Sequence, residues 1–145
     1  MPLRRKLRTT LTACLAVVGI ALASASPAQA AHIYFKPGFR FDADDHYQSD
    51  RGYLIMQGDG NFVLYCTSPP GKYLWDTATD GNPGAYAVFQ EDGNLVVYTK
   101  ENIPIWDSGT WGRGATFARI GNDGNFVIYR DITHPLWSTG TANRC

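Results

Sequence analysis

An all-β fold assembled from three similar units is what this sequence predicts, and three observations carry the prediction. The stretch Gln57-Gly58-Asp59-Gly60-Asn61-Phe62-Val63-Leu64-Tyr65 recurs as Gln90-Glu91-Asp92-Gly93-Asn94-Leu95-Val96-Val97-Tyr98. It returns again, altered at its first position, as Gly121-Asn122-Asp123-Gly124-Asn125-Phe126-Val127-Ile128-Tyr129. Measured between Asn61, Asn94 and Asn125, the copies are 33 and 31 residues apart, a period that marks a repeat architecture. A tryptophan segment follows each copy, with Trp75, Trp106 and Trp137 spaced 31 and 31 residues apart. Aromatic residues are abundant and no long stretch shows helical periodicity, so the elements read as strands.

The chain begins with the basic residues Arg4, Arg5, Lys6 and Arg8, runs apolar from Leu11 to about Ala23, and reaches Ala28-Gln29-Ala30, a small-x-small cleavage site. Residues 1–30 read as a cleaved secretory signal peptide, which leaves 31–145 as a single domain. Too little apolar sequence precedes Cys14 for a lipid-attachment box, and the residues around Arg4-Arg5 fit a twin-arginine export signal poorly. No other run is long enough to cross a bilayer, so membrane insertion is not expected. Of 13 basic residues the leader removes four and no acids, so nine remain against 13 acids, a net charge of −4. A mildly acidic secreted domain has no electrostatic footprint for nucleic acid.

From His32 to Asp50 the pattern weakens. Ile33-Tyr34-Phe35 reads as a first strand and Pro37-Gly38 as a turn. Asp42, Asp44 and Asp45 invite a calcium reading, but the further oxygen ligands and mid-loop glycine that a calcium loop needs are missing. A solvated acidic loop fits better. His32, His46 and His134 lack ligand spacing. Neither metal nor cofactor is expected.

The repeated unit is a hairpin. Asp-Gly flanked by apolar alternation is a strong hairpin signal. A three-residue loop Gly58-Asp59-Gly60 puts Gly60 in the left-handed region that glycine occupies cheaply. It pairs Gln57 with Asn61, Ile55 with Val63 and Tyr53 with Tyr65. Side chains alternate across a strand, so Gln57, Asn61, Val63 and Tyr65 share one face with Tyr53 and Ile55. Leu54, Met56, Phe62 and Leu64 form the other, fit for a core. The second copy divides likewise, Tyr86, Val88, Gln90, Asn94, Val96 and Tyr98 against Ala87, Phe89, Leu95 and Val97.

A single small sheet cannot bury its own apolar face, whereas three sheets around a common axis can. One tryptophan per repeat at constant offset suits such a centre. Trp111 breaks the period and is the freer candidate for a surface role. Gly81-Asn82-Pro83-Gly84 and Gly112-Arg113-Gly114 read as short connections between repeats.

With hairpins and tryptophans in place, the pattern Gln-x-Asp-x-Asn-x-Val-x-Tyr, with an intervening Trp-[Asp/Ser]-[Ser/Thr]-Gly-Thr, resembles the bulb-type (monocot, snowdrop-like) mannose-binding lectin family. The resemblance covers nearly all of the chain after the leader, from about Gly38 to the C-terminus. It implies a β-prism II fold, with three four-stranded antiparallel sheets around a pseudo-threefold axis and tryptophans at the centre. It further implies a metal-independent lectin for terminal α-D-mannose on glycans or polysaccharides. With the signal peptide, the expectation is a secreted protein, with association to cell surfaces through such glycans a further option.

Carried over by position, the family's site is Gln57, Asp59, Asn61, Val63 and Tyr65 in the first repeat. Asp59 and Asn61 are expected to hold the axial 2-hydroxyl, Gln57 the 3-hydroxyl and Tyr65 the 4-hydroxyl, while Val63 packs against ring carbons. Gln90, Asp92, Asn94, Val96 and Tyr98 repeat those roles. A sugar hydroxyl both donates and accepts, and this set supplies an ionised acceptor, two amides and a phenol. An epimer leaves these groups unpaired and is thereby rejected. Asp-Gly-Asn is also good turn sequence, which does not account for the recurring glutamine and tyrosine.

The third repeat retains Asp123, Asn125, Val127 and Tyr129 but has Gly121 for the glutamine, and Arg119 stands where the others have Ile55 and Val88. This site is expected to be weak or inactive for mannose, with its remaining motif residues kept partly for hairpin structure.

After leader removal Cys66 and Cys145 remain. The bridge carried by many family members, from the first hairpin turn to the start of the next repeat, is absent, since Gly60 and the region of Ala85 offer no cysteine. In an oxidising compartment the two cysteines pair within the chain or between chains, and the sequence leaves both open. Strand exchange known in the family makes a homodimer a further option.

Two other functions compete with mannose binding. One is a protein-interaction or bacteriocin-like antimicrobial module on the same prism. The other is a glycosidase, which needs two carboxylates across one bond. Each motif offers one aspartate, and Glu91 points off the site face, so an enzyme is not expected.

Overall fold

The structure is a computed structural model and describes residues 31–145; the leader assigned to 1–30 lies outside the described residues. Twelve strands make up the domain: β1 (Ile33–Phe35), β2 (Phe39–Phe41), β3 (His46–Gln48), β4 (Gly52–Met56), β5 (Phe62–Thr67), β6 (Pro70–Asp76), β7 (Tyr86–Phe89), β8 (Leu95–Tyr98), β9 (Pro104–Asp107), β10 (Phe117–Ile120), β11 (Phe126–Asp131) and β12 (His134–Ser138). They form three four-stranded sheets: β3-β4-β5-β6, β2-β7-β8-β9 and β1-β10-β11-β12. These are called sheets one, two and three after the repeat each carries. All pairings are antiparallel. This is the all-β prism that the repeats imply.

Hairpin register follows from the three-residue loop. Ile55 lies opposite Val63 and Tyr53 opposite Tyr65, Val88 opposite Val96 and Tyr86 opposite Tyr98, Arg119 opposite Val127 and Phe117 opposite Tyr129. The loop is closed by Gln57 N–H donating to Asn61 O and Gly60 N–H to Gln57 O, with equivalents in both other repeats. Gly60, Gly93 and Gly124 have φ of 96°, 84° and 79°, where a side chain is disfavoured. A Cβ on Gly60 would also strike the Asn82 carbonyl, and one on Gly93 would lie 2.8 Å from the Ala115 Cβ.

Alternation then sorts the faces. Leu54, Met56, Phe62 and Leu64 are fully buried, as are Ala87, Phe89, Leu95 and Val97. Trp75, Trp106 and Trp137 form a near-equilateral trio with centroids 5.4 to 5.7 Å apart and interplanar angles of 71° to 72°. Such edge-to-face contacts satisfy the ring quadrupoles, and the symmetry of the trio fixes the pseudo-threefold axis.

The N-terminal segment behaves in a way the sequence showed only in part. Ile33–Phe35 is a strand and Pro37-Gly38 a turn, as expected, with Phe39 N–H donating to Lys36 O. Beyond them, β1, β2 and β3 each join a different sheet as its outermost strand. Their inward residues Phe35, Phe41 and Tyr47 pack on one another, with Phe35 and Phe41 centroids 4.9 Å apart and Phe35 and Tyr47 5.1 Å apart. Phe41 continues the cluster to Phe62 at 5.0 Å.

Cys66 and Cys145 are joined within the chain, with Cα atoms 5.6 Å apart across a separation of 79 residues. Closing a loop of that length stabilises the folded state by about 4 kcal/mol in the chain-entropy account. Among the described residues no helix is long and apolar enough to cross a membrane.

Candidate functional site

Asp59 sits at the hairpin tip and accepts a hydrogen bond through Oδ1 from Asn61 N at 3.0 Å, leaving Oδ2 open. Asn61 is only 8% exposed. Its Oδ1 accepts from Thr77 Oγ1 at 3.1 Å and from the Thr79 backbone N–H at 3.2 Å. A backbone N–H can only donate, so the amide oxygen must face Thr79 and the Asn61 NH2 group is directed away from it. Across the face, Gln57 Nε2 donates to Tyr65 Oη at 2.9 Å. That leaves the phenolic hydrogen free to donate and the Gln57 Oε1 free to accept.

The open groups of hairpin one are therefore two acceptors, Gln57 Oε1 and Asp59 Oδ2, and two donors, Asn61 Nδ2 and Tyr65 O–H. This balance matches neighbouring hydroxyls, each of which donates once and accepts. Hairpin two repeats it. Asp92 Oδ1 accepts from Asn94 N at 2.9 Å, Asn94 Oδ1 accepts from Ser108 Oγ at 3.0 Å and Thr110 N at 3.1 Å, and Gln90 Nε2 donates to Tyr98 Oη. Val63 and Val96 are nearly enclosed, at 1% and 4% exposure, yet both lie outside the central core cluster. They form the floor of the outer face.

A register shift falls just before the tyrosine in all three repeats, between Leu64 and Tyr65, Val97 and Tyr98, and Ile128 and Tyr129. Bulges of this kind re-aim a side chain.

Hairpin three keeps half of this wiring. Asp123 Oδ1 accepts from Asn125 N at 3.1 Å, and Asn125 Oδ1 from Thr139 Oγ1 at 2.8 Å and Thr141 N at 3.1 Å. The glutamine's place is taken by Arg119, whose Nη2 donates to Tyr129 Oη at 2.8 Å. Its Nε is buried without a partner, as is Asn122 Oδ1. Asp123 leans over Gly121, so that a Cβ there would strike its carboxylate. Tyr129 is 8% exposed, and Val127 is buried at 5%. The hydroxyl-matching balance is replaced by an excess of donors.

The Ser/Thr pairs Thr77–Thr79, Ser108–Thr110 and Thr139–Thr141 were not assigned from the sequence. Each anchors a motif asparagine, and the signal was present as [Ser/Thr]-x-Thr at fixed offset after each tryptophan. The acidic loop is a turn: Arg40 pairs with Asp42 at 2.6 Å, and Asp42 N–H donates to Asp45 Oδ2 at 2.8 Å. No group of three or more metal-ligating side chains occurs among the described residues. His46 stacks on Tyr53, and His134 bonds to Asp131. Trp111 is 69% exposed.

Three twisted sheets around a tryptophan centre, each presenting a polar hairpin face, define a β-prism lectin. The snowdrop mannose-specific agglutinin, solved with methyl-α-D-mannoside, is 35% identical, with a TM-score of 0.60 over 76% of this chain and 95% of that one. A monomeric monocot mannose-binding lectin from Gastrodia elata superposes with a TM-score of 0.67 at 28% identity, over 75% of this chain and 97% of that one. A mannose-specific lectin from Dendrobium findlayanum is 35% identical over 79 residues, which is 54% of this chain and 46% of the relative's length. No protein-family model matches the chain. The chain belongs to the bulb-type (monocot) mannose-binding lectin family, a family of carbohydrate-binding lectins rather than enzymes.

Proposed function

We propose that this chain is a secreted lectin that binds terminal α-mannose, without metal, at hairpins one and two. The observation that carries this reading is that both hairpins present the same two acceptors and two donors in register on the outward face. Asp59 Oδ2 and Asn61 Nδ2 take the 2-hydroxyl, Gln57 Oε1 the 3-hydroxyl and the Tyr65 phenol the 4-hydroxyl, with Asp92, Asn94, Gln90 and Tyr98 repeating the set. The relatives solved or named with mannose support the choice of sugar. Each site is shallow, and useful avidity comes from clustered glycans engaging both. Export through residues 1–30 places the protein outside the cell.

Calorimetry with methyl α-mannoside tests the reading and counts sites. Two binding events per chain are expected, unaffected by chelator. Asn61→Asp with Asn94→Asp keeps the acceptor that Thr79 and Thr110 require but removes the outward donor, so binding is lost while the fold persists. Absence of mannose binding in the wild type, or unchanged binding in the double variant, overturns the assignment.

A further inference from the structure

Sheet one differs from the other two along a single cross-strand row. Gln48 lies opposite Tyr53, Tyr53 opposite Tyr65, and Tyr65 opposite Tyr73, so the row spans all four strands. In sheet two the row is Tyr86, Tyr98 and Pro104, and in sheet three Phe117, Tyr129 and Pro135. There β2 and β1 end their pairing one residue short of it. Only sheet one therefore has a polar side chain at one end of the row and an aromatic one, Tyr73 at 56% exposure, at the other.

The cause is partly an insertion. From the motif tyrosine to the core tryptophan is ten residues in the first repeat (Tyr65 to Trp75) and eight in the others (Tyr98 to Trp106, Tyr129 to Trp137). The added length carries Thr67, Pro70 and Gly71 outward. Together with Gln48, Tyr53 and Tyr65 they line a surface pocket of about 410 Å³, inside the roughly 300–1,000 Å³ range of small-molecule sites. Its near wall is Tyr65, the same phenol that closes the mannose site of hairpin one.

We propose that this pocket is an extension of hairpin one that holds a second hexose residue of an oligosaccharide whose mannose occupies Gln57, Asp59, Asn61 and Tyr65. The proposal rests on the mannose reading above. Tyr53 and Tyr65 offer the apolar surface that the C–H face of a pyranose covers. The Gln48 amide both donates and accepts. The Thr67 hydroxyl donates to Asp50 O, which leaves its lone pairs to accept. The 4-hydroxyl assigned to Tyr65 neighbours the C6 arm of the same sugar, so a residue carried on that arm enters the pocket by the shortest route. The mannose seated at hairpin one is then the 6-substituted residue of the pair rather than the terminal one. Hairpin one then reads a linked pair of sugars, and hairpin two a single one.

The experiment compares methyl α-mannoside with methyl 6-O-α-mannosyl-α-mannoside by calorimetry. Asn94→Asp silences hairpin two, and Asn61→Asp, in a separate protein, silences hairpin one. Carrying two mannoses gives the disaccharide a statistical gain of about twofold at either site. Hairpin one is expected to gain about tenfold, hairpin two only the statistical factor. Adding Gln48→Ala to the Asn94→Asp protein brings the hairpin-one ratio down toward that factor. Equal ratios at the two hairpins, or a hairpin-one ratio unmoved by Gln48→Ala, overturn the proposal. Failure of methyl α-mannoside itself to bind is a different result, and strikes the mannose assignment instead.

Discussion

Hairpins one and three share a backbone, a register and a full set of asparagine anchors, yet only one presents a balanced set of hydroxyl partners. In both, the motif aspartate caps the asparagine N–H, and the asparagine oxygen is held by a Ser/Thr pair. Those residues are therefore explained by folding alone, and their persistence in the third repeat says nothing about sugar. The difference lies in what reaches the tyrosine: Gln57 in one, Arg119 in the other. Glutamine leaves an acceptor facing outward, while a guanidinium brings only donors. On the mannose reading proposed above, the glutamine–tyrosine pair is what separates a binding face from a well-made turn.

The comparison is tested most severely by giving hairpin one the third repeat's residue. Gln57→Gly, read in the Asn94→Asp protein, is expected to weaken methyl α-mannoside binding by about tenfold, in keeping with the loss of one or two hydrogen bonds at an otherwise intact site. Unchanged affinity by calorimetry would show that the glutamine is ornamental. A smaller effect is expected in the reverse direction. Arg119→Val with Gly121→Gln removes the cation and restores the amide, although the Asp123 carboxylate must first swing aside. A third binding event appears, weaker than the other two, and raises the stoichiometry from two toward three. Stoichiometry fixed at two would mean that something besides these residues closes the third face.

The smallest change concerns the anchors. Ala78 has φ of 52° at the position where the other repeats carry Gly109 (67°) and Gly140 (68°). Ala78→Gly relieves a left-handed alanine and is expected to stabilise the fold by about 1 kcal/mol, a rise of a few degrees in Tm, with sugar affinity unaltered.

Much of this molecule was legible because a period-2 pattern and an Asp-Gly corner leave one register open. Once Gly60 closes the loop, the burial of Phe62 and Leu64 and the outward turn of Gln57 and Tyr65 follow. The tryptophan trio followed from constant spacing. The strands Phe39–Phe41 and His46–Gln48 did not, since three residues are too few to show alternation, and the partner of Phe39–Phe41 lies in the second repeat. The Thr77 and Thr79 anchors stayed hidden for a related reason: they act on Asn61 across a fold of the chain 16 to 18 residues long. Cys66 and Cys145 are unambiguous only once the C-terminus is seen running back to β5.

The way β1, β2 and β3 are shared among the sheets governs how such a protein can be made and multiplied. These strands leave the ribosome first, but Tyr34 settles opposite Arg119, 85 residues later. β3 meets β4 at once, but β2 waits for the second repeat and β1 for the third. Closure therefore comes only with the last third of the chain, a topology that favours slow assembly. The second or third repeat cut out by a gene boundary would also lack its outermost strand, β2 or β1, which precedes the first repeat. Neither of those two thirds can be lent out by itself, and more copies of either face require the prism to be duplicated whole.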